Sequence, residues 1–170
     1  MKKYVVGLCF NSAMDSIVLI RKNRPKWQRG LLNGVGGHIE DGEAAITAMV
    51  REFREETGVV TGNADWLHVL TLYFEYAQVA FFTCKNDFAH NYARTTTDEQ
   101  IVRKPIHDLS GVIDNIPAIL TLCAHRINDR EGALPTVRDS ALVGGGKKYS
   151  RYTCPKSDTW FASALVEPLE

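Results

Sequence analysis

The chain has 170 residues, and its 20 Lys plus Arg balance its 20 Asp plus Glu. This length favours one domain with a full core. The balanced charge excludes a long-range field that would attract nucleic acid or a membrane surface, and no segment approaches the length of a transmembrane helix. We therefore expect a small-molecule partner, with neither nucleic acid nor a membrane.

The first part of the chain predicts a β-hairpin and then a glycine-broken strand. Residues 4–10 and 17–21 have the composition of strands, and the apolar run near the amino terminus is too short for a signal peptide. Residues 31–39 are predicted as a strand whose glycines let a ligand approach the backbone closely. Four basic residues precede this strand, where they would contact either a phosphate-bearing ligand or solvent: Arg21, Lys22, Arg24 and Lys26.

A helix is predicted over residues 42–57. Asp41 is expected to cap its first free amides, Glu43 to lie in its first turn, and Gly58 to end it in the left-handed conformation. One face of the helix carries a narrow apolar stripe that would pack on a core: Ile46, Met49, Val50, Phe53 and Thr57.

Three acids crowd the last turns of this helix, away from the apolar stripe. Glu52, Glu55 and Glu56 are spaced i, i+3 and i+4, so they project from one side, repel one another and oppose the helix dipole. Arg51 and Arg54 offset part of this charge from the flank. A hard divalent cation with oxygen ligands would offset it better, and a solvated acidic face is the alternative.

The wider pattern favours the metal site. Nine positions between Gly37 and Val59 form one spaced pattern: Gly37, Glu43, Arg51, Glu52, Phe53, Glu55, Glu56, Gly58 and Val59. This pattern resembles the Nudix box of the Nudix hydrolase family, and Phe53 stands where that family more often has an aliphatic residue. The resemblance covers about residues 3–128 and implies an α/β fold, the Nudix-type α/β/α sandwich with a mixed β-sheet.

The rest of the chain is compatible with this fold. Strands are predicted over residues 66–74 and 79–84, a polar segment over 85–98, a short strand in the KPIHDL sequence, and a helix over 116–127. We expect a Nudix domain over residues 1–128 and a carboxy-terminal extension over 129–170. In the extension, residues 140–157 suggest a flexible loop and residues 159–166 a strand or a segment that docks on the domain.

The resemblance implies hydrolysis of a nucleoside diphosphate linked to another group, by attack of water at phosphorus with Mg²⁺ or Mn²⁺. Arg51, together with Glu43, would orient the acids, and Glu52 or Glu56 would take the proton from water. Asp98 and Glu99 fall where many relatives supply an additional acid, with a surface turn as the alternative. The implied metal ligands are the Gly37 carbonyl, Glu52, Glu55, Glu56 and Glu99.

Substrate selection is expected to depend on residues outside the box. Asn33 and Trp27, six residues earlier, resemble the arrangement in oxidised-purine nucleoside triphosphatases, where Trp27 would stack on a base and Asn33 would hydrogen-bond its edge. The alternatives are a tryptophan that covers the core edge and an asparagine that makes a turn. His38 departs from the Lys common in those enzymes. The predicted substrate-binding residues are Arg21, Lys22, Trp27, Asn33 and His38.

Three functions stay open on the sequence. The favoured one is hydrolysis of a nucleoside triphosphate, ordinary or oxidised, to a monophosphate and pyrophosphate. The second is hydrolysis of ADP-ribose, a nucleotide sugar or a dinucleotide. The third is a non-catalytic nucleotide sensor, against which the intact box argues.

The cysteines indicate the compartment. Cys9, Cys84, Cys123 and Cys154 lie far apart, and no pair has zinc-site spacing. Buried, reduced thiols and a cytoplasmic location are therefore expected, and a homodimer is left open.

Overall fold

The computed structural model describes residues 1–128 in full and, beyond them, the backbone of three strands. No helix among the described residues is long and apolar enough to cross a membrane. The strands are β1 Lys2–Phe10, β2 Ser16–Arg21, β3 Leu32–Asn33, β4 Leu67–Tyr73, β5 Ala77–Lys85, β6 Gln100–Pro105, β7 Thr136–Asp139, β8 Lys148–Thr153 and β9 Phe161–Val166, and the helices are α1 Ala45–Thr57, α2 Asp87–Tyr92 and α3 Ile116–Asn128.

The main sheet has the order β3-β2-β1-β5-β4, with β6 paired to β2. β1 is parallel to β5 along its whole length, whereas β2 is antiparallel to its neighbours. The sheet is therefore mixed, as predicted. β1 and β2 pair only near Phe10, and the segment after β3 bridges back to β1 through Val35 and His38. This return brings the glycine-rich segment beside the middle of β1.

The two faces of the sheet bury two separate cores, because side chains alternate along each strand. Ile17 and Leu19 of β2 belong to the core that includes Ile119 of α3. Val18 and Ile20 of the same strand belong to the core that includes Phe53 of α1. A fully buried side chain of this size contributes about 1.5–3 kcal/mol, so both helices are held firmly on the sheet. The result is the predicted layering of sheet between helices.

The start of α1 differs from the prediction. The helix begins at Ala45, because Gly42 has a positive φ of 81° that no helix continues through. Ala44 is the N-cap residue and makes no side-chain capping bond, so the predicted cap by Asp41 is wrong. Glu43 lies before the helix. The predicted end is confirmed, since Gly58 has a φ of 72° and its N–H donates to the Arg54 carbonyl.

The segment between β5 and the next strand contains a helix that was not predicted. Asn86 caps α2 by accepting a hydrogen bond from the Ala89 N–H, and Ala89 and His90 are buried on its inner side. Only one turn of apolar period is present, too little to stand out among polar residues. The following strand, β6, overlaps the predicted KPIHDL segment only at Lys104 and Pro105, because its pairing with β2 begins at Gln100 and ends at Pro105.

A second, antiparallel sheet has the order β7-β8-β9. β9 lies within the predicted strand at residues 159–166. β8 lies within residues 140–157, so the loop prediction is wrong for that part. Two tyrosines and a threonine in β8 favour a strand, although the glycines before it dominate the local composition. The remaining residues of the extension, Cys154 among them, lie outside the described part of the chain.

Candidate active site

A cavity of about 880 Å³ is lined by residues from both sides of the main sheet. Its acidic part contains side chains from α1 and from the segment before β6: Glu52, Glu56, Asp98 and Glu99. Its apolar part contains side chains from β1, β5 and the loops that precede β3, β5 and α3: Val6, Leu31, Phe74, Val79, Phe81 and Ile113. The cavity thus combines a charged surface with a hydrophobic one, as sites for amphiphilic small molecules do.

Glu52 lies directly over the backbone of Gly37. The residue is only 8% exposed, and burial raises the pKa of its carboxyl above the usual range. A Cβ on residue 37 would stand 2.5 Å from the Glu52 carboxyl carbon, so a larger residue there would displace the Glu52 carboxylate. The Gly37 carbonyl accepts a hydrogen bond from the Val5 N–H at 2.9 Å, which fixes this backbone to β1.

Arg51 links the box acids to one another. Its guanidinium donates two bonds to Glu43, at 3.0 and 2.9 Å, and others to Glu52 at 2.9 Å, Glu55 at 3.2 Å and the His38 carbonyl at 2.9 Å. The bond to Glu43 is the main cause that raises the pKa of Arg51, and it lowers the pKa of Glu43. Arg51 therefore reaches into the cluster rather than remaining on its flank, and it orients Glu52.

Glu56 faces a second set of groups. Burial is the main cause that raises the pKa of its carboxyl, and the charges of Glu99 and Asp98 act in the same direction. The Thr97 hydroxyl donates to Glu56 Oε2 at 2.7 Å and opposes this rise, as does the charge of Lys22. Two carboxylates with raised pKa values, Glu52 and Glu56, thus line one cavity.

The predicted additional acids already have partners. Glu99 is 3% exposed and forms an ion pair with Lys22, while its other oxygen accepts from the Asn23 N–H at 2.6 Å. Asp98 is exposed and pairs with Arg24 at 3.1 Å. Glu99 is therefore a buried, compensated charge beside Glu56.

The donor set fits a divalent cation that shares its coordination with a ligand. Among the described residues, no three or more His, Cys, Asp or Glu side chains form a group arranged to hold a metal ion. Mg²⁺ commonly uses one or two carboxylates together with phosphate oxygens. Glu52 and Glu56, beside the backbone of Gly37, meet that requirement. Glu55 does not line the cavity; it is half-exposed and bound to Arg51.

The structure brings four of the five predicted substrate-binding residues to the cavity: Lys22, Trp27, Asn33 and His38. Arg21 is not among the lining residues, and its guanidinium donates to the Gly30 carbonyl at 2.9 Å. Trp27 is 50% exposed and belongs to neither core, so it does not cover a core edge. Asn33 makes local bonds: its oxygen accepts from the Gly34 N–H at 2.7 Å, and its NH₂ donates to Gln28 at 3.3 Å.

Asn115 is a cavity residue that was not predicted from the sequence. This residue lines the cavity just before α3, and its Oδ1 is the one buried side-chain polar atom without a hydrogen-bond partner in the described part of the chain. A buried acceptor without a donor costs about 1–3 kcal/mol, so it is the kind of group that a ligand satisfies. An asparagine before Ile-Pro signals only a helix start in the sequence. Tyr4, whose ring packs edge-on against His38 at 5.5 Å, was also missed.

Comparison with known proteins gives the family. The NUDIX domain model matches residues 1–114, two thirds of the chain. The chain therefore belongs to the NUDIX domain family and is a Nudix hydrolase, a class that acts on nucleoside diphosphate-linked small molecules and generally uses divalent metal ions. No curated protein matches the chain.

Solved structures agree with this assignment. A structure from work on MutT of the fish pathogen Aliivibrio salmonicida and of Vibrio cholerae is 25% identical, with a TM-score of 0.59 over 73% of this chain and 98% of its own. DR0079 from Deinococcus radiodurans is 16% identical, with a TM-score of 0.56 over 72% and 82%. A Nudix hydrolase family member from Chromobacterium violaceum is 18% identical, with a TM-score of 0.57 over 78% and 82%, and the last two support the fold alone.

Proposed function

We propose that this Nudix hydrolase converts a nucleoside triphosphate and water to the monophosphate and pyrophosphate, with Mg²⁺ or Mn²⁺. One observation carries the proposal: a single cavity is lined by the buried Glu52, the half-buried Glu56 and Asn115, whose buried amide oxygen has no partner. A volume of about 880 Å³ is sufficient for a nucleotide. The phosphates would lie by the acids, and the base would lie by the amide.

The acidic part supplies groups for hydrolysis at phosphorus. Glu52 and Glu56, with the Gly37 carbonyl, would hold the metal, which when bound neutralises the phosphate charge and activates water. Glu52 or Glu56 would accept the proton of the attacking water, because both carboxylates line the cavity in which the phosphates would lie. Arg51 would keep Glu52 in place through its bonds to Glu43 and to the His38 carbonyl.

The apolar part supplies groups for recognition of a base. Phe74 and Phe81 offer apolar walls, and the half-exposed Trp27 offers a stacking face. The oxygen of Asn115 needs an N–H donor, and Asn33 keeps one amide hydrogen beyond its bond to Gln28. A purine edge carries both donors and acceptors, and an oxidised purine carries an additional N–H, so these bases suit the pair best.

The test is a substrate panel scored for pyrophosphate and orthophosphate release, with Mg²⁺, with Mn²⁺ and with EDTA. It should contain the four deoxynucleoside triphosphates, an oxidised purine triphosphate, ADP-ribose and a nucleotide sugar. The expected result is metal-dependent pyrophosphate release that is fastest with a purine triphosphate. Faster cleavage of ADP-ribose or a nucleotide sugar would instead assign the cavity to a diphosphate between two bulky groups, and binding without turnover would assign a sensor.

The cysteines support a cytoplasmic location as part of this proposal. Cys9, Cys84 and Cys123 are buried free thiols, and burial raises the pKa of Cys123 to about 12. Thiols of this kind suit a reducing compartment. A homodimer remains a prediction, which the elution volume on a calibrated column would test.

A further inference from the structure

Three consecutive threonines, at residues 95–97, lie between α2 and β6, and each uses its hydroxyl differently. Thr95 accepts a hydrogen bond from the Ile101 N–H at 3.0 Å. Thr96 donates to the main-chain carbonyl of Glu55. Thr97 donates to the side chain of Glu56 at 2.7 Å. Within this run, therefore, Thr97 alone contacts a carboxylate that lines the cavity.

The direction of the Thr97 bond is fixed by a third group. The Glu99 N–H donates to Thr97 Oγ1 at 3.2 Å, and a main-chain N–H can only donate. The hydroxyl therefore uses a lone pair for Glu99, and its proton is left for Glu56 Oε2. Within residues 1–128, no other protein group hydrogen-bonds to the Glu56 carboxylate. Rotation of this carboxylate thus depends on one hydroxyl.

We propose that Thr97 is a positioning residue that holds Oε2 of Glu56, so that the other oxygen is presented to the metal and the reacting water. This inference rests on the proposed function, in which Glu56 is a metal ligand. Hydrogen-bond partners of metal ligands restrict the rotation of those ligands, and their removal typically lowers metal affinity or activity by about 10–100-fold. Thr97 is an exposed residue on a loop, so its loss should leave the core intact.

The experiment compares Thr97→Val, Thr97→Ser and Thr96→Val in the full chain. Thr96→Val is the matched control, because it removes a bond from the same loop to the same helix turn without touching a carboxylate. Mn²⁺ affinity is measured without nucleotide from the EPR signal of free Mn²⁺, and kcat and KM are measured with the best triphosphate. We expect Thr97→Val to weaken Mn²⁺ binding and lower kcat by about 10-fold each, with KM little changed. The serine variant and the control should stay within about 3-fold of wild type.

Two results would overturn the inference: wild-type Mn²⁺ affinity in Thr97→Val, or an equal loss in Thr96→Val, which would mean that the loop acts only as a tether. Circular dichroism checks folding, and Thr97→Ala replaces the valine variant if that variant is unfolded. In a Glu56→Gln background, Thr97→Val should weaken Mn²⁺ binding no further, and an additive loss would contradict a role through Glu56. If wild type binds Mn²⁺ but hydrolyses no nucleotide, the proposed function fails, while the Mn²⁺ measurements still decide the role of Thr97.

Discussion

The two parts of the cavity are built differently. In the acidic part, Gly37, Arg51, Glu52 and Glu56 come from one short stretch of chain and contact one another or lie on successive turns of α1, and the segment before β6 adds Asp98 and Glu99. The apolar part is assembled from β1, β5 and the loops before β3 and α3, which are distant in sequence. The groups proposed for hydrolysis therefore come mainly from residues that are close in sequence, whereas the groups proposed for substrate recognition are brought together by the fold.

The two parts of the cavity also differ in their electrostatics. In the acidic part, charges are buried together and compensate one another, as Arg51 does for Glu43 and Lys22 does for Glu99. In the apolar part, two of the polar groups are the neutral amides of Asn33 and Asn115, of which Asn115 has an oxygen without a partner, and the carboxylate of Asp114 is exposed. We expect changes in the first part to affect every substrate alike and changes in the second to affect the choice among substrates.

The largest expected effect comes from the acidic part. Glu52→Gln and Glu56→Gln should each lower kcat by about 100-fold or more for every nucleotide, because metal-ligand and general-base roles each contribute on that scale. Steady-state kinetics with saturating Mg²⁺ measure this loss. Glu40→Gln is the control, since Glu40 is exposed. Near-normal turnover in both variants, or a loss confined to one nucleotide, would contradict the assignment of hydrolysis to the acidic part and of substrate choice to the apolar part.

The second effect should appear only in discrimination. Asn115→Leu removes the buried acceptor, which should cost about 1–3 kcal/mol, or roughly 5–150-fold in kcat/KM, for bases that donate to it. Asn33→Leu should cost less discrimination, because the Asn33 oxygen already accepts from the Gly34 N–H. The kcat/KM values for the whole triphosphate panel test this ranking.

Asn63→Leu, at an exposed position, controls for the asparagine substitutions. Equal losses for all bases in Asn115→Leu would mean that the amide is structural. An unchanged ranking of bases in both Asn115→Leu and Asn33→Leu would favour a substrate recognised through its other moiety.

The same contrast explains which features were predictable from the sequence. Glu52 and Glu56 are recognisable because helical spacing places them on one face and the wider Nudix-box pattern distinguishes them from a solvated acidic face. The end of α1 is recognisable because Gly58 has a left-handed conformation. The start of α1 was mispredicted, because Gly42 has a positive φ that no helix continues through, and Glu43 bonds to Arg51 from the loop before the helix. Asn115 was missed because its significance depends on β1, β5 and Leu31, to which no local pattern connects it.

A smaller effect is expected for Trp27→Ala. The ring is half-exposed, so stacking should contribute near the lower end of the usual range, about 1 kcal/mol or roughly 5-fold in KM. Every base has a π-face, so KM should rise for all triphosphates alike. Tyr92→Ala, which removes an exposed aromatic that does not line the cavity, is the control. A KM increase restricted to purine triphosphates would mean that Trp27 distinguishes among bases instead of stacking on all of them alike.

The smallest effect concerns thermal stability. The change in Tm should have opposite signs for substitutions of Glu56 and Glu43, two acids of the same region. The pKa of Glu56 is raised in the folded protein, mainly by burial, so folding is favoured by protonation, and the ionised form is a cost at pH 7. The pKa of Glu43 is lowered, mainly by Arg51, so its contribution to stability is present at pH 7 and is lost as the pH falls through its folded pKa. In EDTA at pH 7, Glu56→Gln should raise Tm and Glu43→Gln should lower it, each by about 2 °C.

The pH and metal dependence of these Tm shifts completes the test. The difference for Glu56→Gln should shrink towards pH 4, where the Glu56 carboxyl is protonated in the folded protein and resembles the glutamine that replaces it. The difference for Glu43→Gln should largely persist at pH 4 and be lost only as the pH falls further, through the lowered folded pKa of Glu43. Saturating Mg²⁺ should raise the Tm of wild type more than that of Glu56→Gln, because a ligand that binds only the folded state stabilises it. Differential scanning calorimetry at pH 7 and pH 4, with and without Mg²⁺, measures all four conditions. A lower Tm for Glu56→Gln in EDTA would mean that the ionised Glu56 stabilises the fold, in which case it is not held ready for a cation.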